Sequence, residues 1–69
     1  MEFAERFNQV IKDRGIPQTE LARKLGIPYE TMRYKAKKLS AWKVTEWNTM
    51  VTTLRLTDEE VTFLTSEVN

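Results

Sequence analysis

The sequence predicts an all-α domain of five short helices, on three grounds. Apolar residues recur at three- and four-residue intervals, and no stretch alternates as a half-buried strand does. Glycine followed two residues later by proline occurs twice, as Gly15 with Pro17 and Gly26 with Pro28, at the spacing of helix ends. Thr57-Asp58-Glu59-Glu60 has the form of a capping box, in which the Thr side chain serves the N–H of Glu60 and the Glu60 carboxylate reaches back.

The first helix is marked by Phe3, Phe7, Val10 and Ile11, which fall at i, i+4, i+7 and i+8 on one face. Glu2 and Arg6 stand four apart on its outer side, a favourable pairing. Gly15 caps it. A second helix spans about Gln18 to Leu25, with Leu21, Ala22 and Leu25 inward, and Gly26 stops it. Pro28 opens a third helix, where its missing N–H costs nothing. That helix runs over about 28–38, with Met32, Ala36 and Leu39 toward the core. The chain turns near Ser40-Ala41. Val44, Trp47, Met50, Val51 and Leu54 line the inner face of a fourth helix; Thr57 begins a fifth, with Val61, Leu64 and Val68 inward. The connections are short, and the Thr pairs and valines near the C-terminus are the only β-leaning feature.

Sixty-nine residues make one domain, residues 1–69, with a small core. The chain has no Cys and no His. That removes disulfides, the common zinc sites and the usual catalytic base or nucleophile. Glu59-Glu60 is a helix start favoured by the macrodipole, with no third group to make a catalytic dyad. The expectation is a non-enzyme without a cofactor. No apolar run approaches the roughly 20 residues of a membrane span, and the acidic start Met1-Glu2-Phe3-Ala4-Glu5 is unlike a signal peptide. A cytoplasmic protein is expected.

The net charge of +1 hides an uneven distribution. From Thr31 to Thr45 the charged residues are Arg33, Lys35, Lys37, Lys38 and Lys43, all basic. From Thr57 to Asn69 they are Asp58, Glu59, Glu60 and Glu67, all acidic. A basic stretch of this kind faces phosphates or is a solvated helix face.

The stretch from Gln18 to Tyr34 holds two short amphipathic helices joined at a glycine. Ala22 must be small where the next helix crosses, and Gly26 supplies a positive φ. Leu21, Leu25, Ile27 and Met32 set the crossing angle that lets the second of the two helices protrude into a major groove. Gln18, Leu21-Ala22, Gly26-Ile27 and Met32 together resemble the Cro- and repressor-type helix-turn-helix regulators of bacteriophages, lambda-repressor-like in fold. The likeness extends through Gly26-Ile27-Pro28-Tyr29, Tyr34-Lys35-Ala36-Lys37, Trp42 to Val51 and Leu56 to Glu60, nearly the whole chain. It is nearest to short phage proteins of Gram-positive hosts. Pro17 and Pro28 replace the Ser or Thr caps usual in that family, and Lys43 stands where a Thr often caps the fourth helix.

The resemblance implies a sequence-specific DNA-binding transcriptional regulator in a bacterial host cell, with helices two and three as the helix-turn-helix. It implies for Gln18 a phosphate contact or the bracing of a base-reading side chain; otherwise Gln18 is an exposed polar residue. Helical geometry puts Glu30, Arg33, Tyr34 and Lys37 opposite Met32 and Ala36. Arg33 suits bidentate reading of guanine O6 and N7, or else a phosphate. Tyr34 suits a phosphate or sugar. Glu30 can accept from cytosine N4, orient Arg33 or exclude wrong bases. Tyr29, at the edge of the buried face, is either half-core or a base contact. Lys35, Lys37 and Lys38 are expected at phosphates. Trp47 is expected in the core; Trp42 falls in the loop after the basic run.

The expected partner is an operator in double-stranded DNA, bound by a homodimer because one short helix spans few base pairs. The alternative is a protein-interaction module of the same fold, such as an antirepressor that binds a phage repressor.

Overall fold

The structure, a computed structural model, describes residues 2–66. Five α-helices follow one another: α1 (Phe3–Asp13), α2 (Gln18–Leu25), α3 (Tyr29–Lys35), α4 (Val44–Leu54) and α5 (Asp58–Thr65). A 3-10 turn, Leu39–Ala41, separates α3 from α4, and there is no strand among the described residues. The Thr- and Val-rich C-terminal stretch is therefore helical in α4 and α5. Helix α1 packs on α5, while α2 packs on both α3 and α4.

The helical spacing of apolar residues becomes a core with one centre. Phe7, Leu21, Met32, Met50 and Leu64 are the largest fully buried side chains, one from each α-helix. Phe3, Val10, Ile11, Ala22, Ala36 and Leu54 complete the buried apolar set, all expected from spacing, although Ala36 falls just after α3 ends. Four aromatic rings close a loop on one side of this centre. Phe3 stacks on Phe7 at 5.6 Å, Phe7 meets Trp42 at 5.8 Å, Trp42 meets Trp47 edge-on at 5.4 Å, and Trp47 returns to Phe3 at 6.2 Å. Both tryptophans are half-buried, so Trp42 joins the core as Trp47 does.

Three helices end in the same motif. In each, a residue in the left-handed region is followed by an apolar residue whose N–H reaches back five positions. Gly15 (φ 68°) is followed by Ile16, bonded to Ile11 O at 3.0 Å; Gly26 (φ 70°) by Ile27, bonded to Ala22 O at 3.1 Å. Arg55 (φ 54°) is followed by Leu56, bonded to Val51 O at 3.0 Å. Ile16, Ile27 and Leu56 then pack against the core, the apolar contact that accompanies such caps. At α5, the capping box expected at Thr57 and Glu60 is present: Glu60 N donates to Thr57 Oγ1 at 3.1 Å and Thr57 N to Glu60 Oε1 at 2.9 Å.

Arg14 clasps the far end of the bundle. Its guanidinium donates to the carbonyls of Leu54 and Arg55 at the C-terminus of α4 and pairs with the Glu60 carboxylate at the start of α5. Arg6 makes a second bridge from α1, donating to Phe63 O at 2.9 Å with its guanidinium 4.6 Å from the Phe63 ring centre.

Three expectations are corrected. Val44 is 77% exposed, because it opens α4 one turn beyond Trp47, past the edge of the core. Helix α3 ends at Lys35 rather than near residue 38, and Leu39 reaches the core half-buried from the 3-10 turn. Pro28 is the residue before α3, not its first. Val61, expected inward, is only half-buried, and on α5 it is Phe63 that packs against the core beside the buried Leu64; Val68 lies outside the described residues.

Two predictions follow from the helix ends. Arg55→Gly keeps every backbone bond and removes the left-handed penalty of a side-chain-bearing residue. It should raise stability by about 0.5–1 kcal/mol after the extra chain entropy of glycine is counted, read as a higher Tm. The Arg14 guanidinium, followed by the Thr57 N–H, holds the Glu60 carboxyl below its ordinary pKa. A lowered folded-state value means stability present at neutral pH and lost as pH falls through that value. Tm should therefore decline on acidification below about pH 4.5, and Glu60→Gln should lower Tm at pH 7 and make that decline shallower.

Candidate nucleic-acid interface

The pair α2–α3 is joined by Gly26, Ile27 and Pro28. The glycine turns the chain and the extended Pro28 (φ −62°, ψ 149°) starts the next helix. Ala22 and Leu21 are buried beneath the crossing. With Met32 and Ala36 anchored, the opposite side of α3 faces outward. Glu30, Arg33 and Tyr34 are exposed there, Tyr29 is 45% exposed at the edge of the buried face, and Lys37 and Lys38 are exposed just beyond the helix end.

These side chains are organised. Arg33 Nη1 donates to Glu30 Oε1 at 3.0 Å, and the Arg33 guanidinium lies 5.9 Å from the centre of the Tyr29 ring. Both members of the ion pair remain open to solvent, Glu30 at 79% and Arg33 at 52% of the side chain. An exposed pair of this kind adds little to folding. A similar i,i+3 pair, Glu20 with Arg23, lies on α2, and the Arg23 guanidinium lowers the Glu20 pKa. At the start of α2, Gln18 is half-buried and its Nε2 donates to Asn8 Oδ1 at 3.0 Å, which ties α2 to α1.

Lys35 is the exception among the eight candidate residues. It is only 7% exposed. Its Nζ donates to Ala41 O at 2.8 Å and to Glu46 Oε1 at 2.6 Å, and lies 5.9 Å from the centre of the Trp42 ring. Trp42 Nε1 in turn donates to Lys35 O at 2.9 Å. The phosphate role expected for Lys35 is therefore withdrawn: its ammonium is committed inside the fold, where it joins α3, the 3-10 turn and α4. The reason is periodicity. Position 35 falls three after Met32 and beside Ala36, on the buried side of α3. That spacing was available in the sequence, whereas Trp42 and Glu46 as its partners were not.

The Lys35 ammonium, then the Lys43 N–H at 3.0 Å, hold the Glu46 carboxyl below its ordinary pKa. A cavity of about 140 Å³ lies beside the pair, lined by Leu25, Ile27, Trp42, Thr45 and Thr49 with Lys35 and Glu46. It is smaller than the roughly 300 Å³ at which ordinary ligand pockets begin. Among the described residues no group of three or more His, Cys, Asp or Glu is placed to hold a metal, and no helix is long and apolar enough to cross a membrane. What the face offers chemically is non-covalent: a guanidinium fork, a carboxylate acceptor, two phenols and two flexible ammoniums.

Comparison with models of known protein families, with curated proteins and with solved structures finds no match.

The different environments of neighbouring lysines can be tested. Lys35→Ala should lower Tm by several degrees, because it strands Glu46 and opens the junction below Trp42. Lys37→Ala should leave Tm essentially unchanged. Equal thermal shifts for the two variants would place Lys35 at the surface.

Proposed function

We propose that this protein is a helix-turn-helix transcriptional regulator that binds double-stranded DNA, with α2 across the backbone and α3 in the major groove. The observation that supports the reading best is the outward side of α3. It carries Tyr29, Glu30, Arg33 and Tyr34 together, is followed at once by exposed Lys37 and Lys38, and is backed by buried Met32 and Ala36. A helix with side chains is about 10–12 Å across, the width of the B-DNA major groove.

Each group then has a task. Arg33 donates two bonds to guanine O6 and N7. Lys37 and Lys38 neutralise phosphates and supply affinity without sequence preference. Gln18, braced by Asn8, contacts a phosphate where the first turn of α2 crosses the backbone. Tyr34 bonds a phosphate or packs on a sugar, and Tyr29 supports Arg33 or meets a thymine methyl group. A seven-residue reading helix covers few base pairs, so the protein acts as a homodimer on paired half-sites. Occupying an operator blocks polymerase, the simplest mode of control.

The exposed Tyr29 and Tyr34 also support a second reading, since tyrosine is enriched at protein interfaces. In it, the same face binds another regulator, as an antirepressor would.

Two substitutions test the first reading. Replacing Lys37 and Lys38 with Ala should weaken binding to every duplex by similar factors and reduce the log–log salt slope by up to about 2. Arg33→Ala should cost about 1–3 kcal/mol on the preferred duplex and much less on unrelated DNA. A protein with no duplex preference, recovered with one regulator through Tyr29 and Tyr34, decides for the second reading.

A further inference from the structure

Glu30 and Arg33 form an ion pair on the outer surface of α3, open to solvent. Resting on the DNA-binding reading above, we propose that this ion pair stays closed in the complex and reads a guanine and a cytosine together, on one base pair or on neighbouring pairs.

Three observations support this. The first is distance. Arg33 Nη1 and Glu30 Oε1 are 3.0 Å apart, within the rise of about 3.4 Å per base pair, so the two groups reach the same step of the duplex. The second is valence. The bond to Glu30 uses one of the five guanidinium N–H donors, which leaves donors for guanine O6 and N7. The carboxylate has a second oxygen and further lone pairs, and the major-groove donor that an acceptor-only group can select at a G·C pair is the cytosine N4 amine. The third is charge. A carboxylate alone among phosphates is repelled; joined to Arg33 it enters as part of a neutral pair. Tyr29, with its ring beneath the guanidinium, limits the positions Arg33 can take.

The bases are distinguishable on this scheme. Adenine at the guanine position puts its N6 amine against the guanidinium, donor against donor. Thymine at the cytosine position puts O4 against the carboxylate, acceptor against acceptor. Glu30 thus adds selectivity by repulsion as well as attraction.

The experiment is a selection on random duplexes with the wild-type protein, Glu30→Ala and Arg33→Ala, each checked for helical content. Affinities then follow on the selected duplex and on one whose cytosine lacks the exocyclic amine. The wild type should enrich a guanine and a cytosine within one base-pair step. Arg33→Ala should lose the guanine preference. Glu30→Ala should relax the cytosine position by about tenfold. Removing the amine should weaken the wild type by a similar factor and leave Glu30→Ala unaffected, an equality that a merely structural role of Glu30 does not produce. An enriched motif without that guanine and cytosine overturns this inference and leaves the DNA-binding reading standing. So does a Glu30→Ala protein that binds all duplexes more tightly with its preference unchanged, since Glu30 would then only restrain Arg33. If no variant and no wild-type protein enriches or binds any duplex, the DNA-binding reading falls and this inference with it.

Discussion

Everything in this fold depends on one small core to which each helix gives a fully buried side chain. Phe7, Leu21, Met32, Met50 and Leu64 come from five different helices, and each is wholly buried. Helices α2, α3 and α5 have eight, seven and eight residues, shorter than the roughly 12–15 at which an isolated helix becomes even marginal in water. They are helices because Leu21, Met32 and Leu64 are held. A chain of this length has a stability of about 3–10 kcal/mol, and truncating one buried Leu or Met costs about 2–5. No helix can give up its central residue for another task. Specialised chemistry is therefore confined to faces turned away from the centre, and the outward side of α3 is such a face.

Around that centre, several cations serve the fold. Arg14 sits where the unpaired carbonyls of the α4 C-terminus concentrate negative partial charge, and there it also meets the Glu60 carboxylate. One side chain thus answers the end of one helix and the start of the next. Arg6 does the corresponding work between α1 and α5, and Lys35 between α3 and α4. The basic stretch from Arg33 to Lys43 is consequently of mixed purpose: Lys35 is internal, while Arg33, Lys37, Lys38 and Lys43 face solvent.

Helical spacing made the core legible because burial is periodic along each helix. It identified Phe3, Phe7, Val10 and Ile11 on α1, and the inward residues of α2, together with the exact extent of α2 between Pro17 and Gly26. It misjudged Val44, since a periodic stripe does not show where the neighbouring helices stop. The apolar residues just after helix ends, Ile16 and Leu56, lie outside the helical stripes, and their signal is instead their position after a left-handed residue. Arg14 and Glu60 are 46 residues apart and Lys35 and Glu46 are 11 apart, and no local pattern joins such partners. The outward residues of α3 were legible for the same reason as its core: once Met32 and Ala36 are inside, Glu30, Arg33 and Tyr34 are outside, whereas for Tyr29, three before Met32, spacing left half-core and surface both open. The Glu30–Arg33 bond was accessible from their separation of three; the support from the Tyr29 ring came only with the structure.

The length of α3 has a physical cause, and it bears on how the face is used. A helix continuing to residue 38 would carry the chain away from α4. Instead the backbone leaves the helix after Ala36, Lys38 is extended (φ −142°, ψ 125°), and the 3-10 turn swings Trp42 back. The Trp42 indole then donates to Lys35 O, which also accepts the Lys38 N–H at 3.3 Å, while the indole ring packs against Phe7. The other end of α3 is fixed by the left-handed Gly26 and the extended Pro28. A short helix pinned at both ends cannot fray into the solvent it faces. In the proposed complex this matters more than length, because reading a base edge requires side chains held to within about half an ångström. The early termination of α3 therefore gives up reach along the proposed groove and keeps Glu30, in its first turn, and Arg33 between two fixed ends.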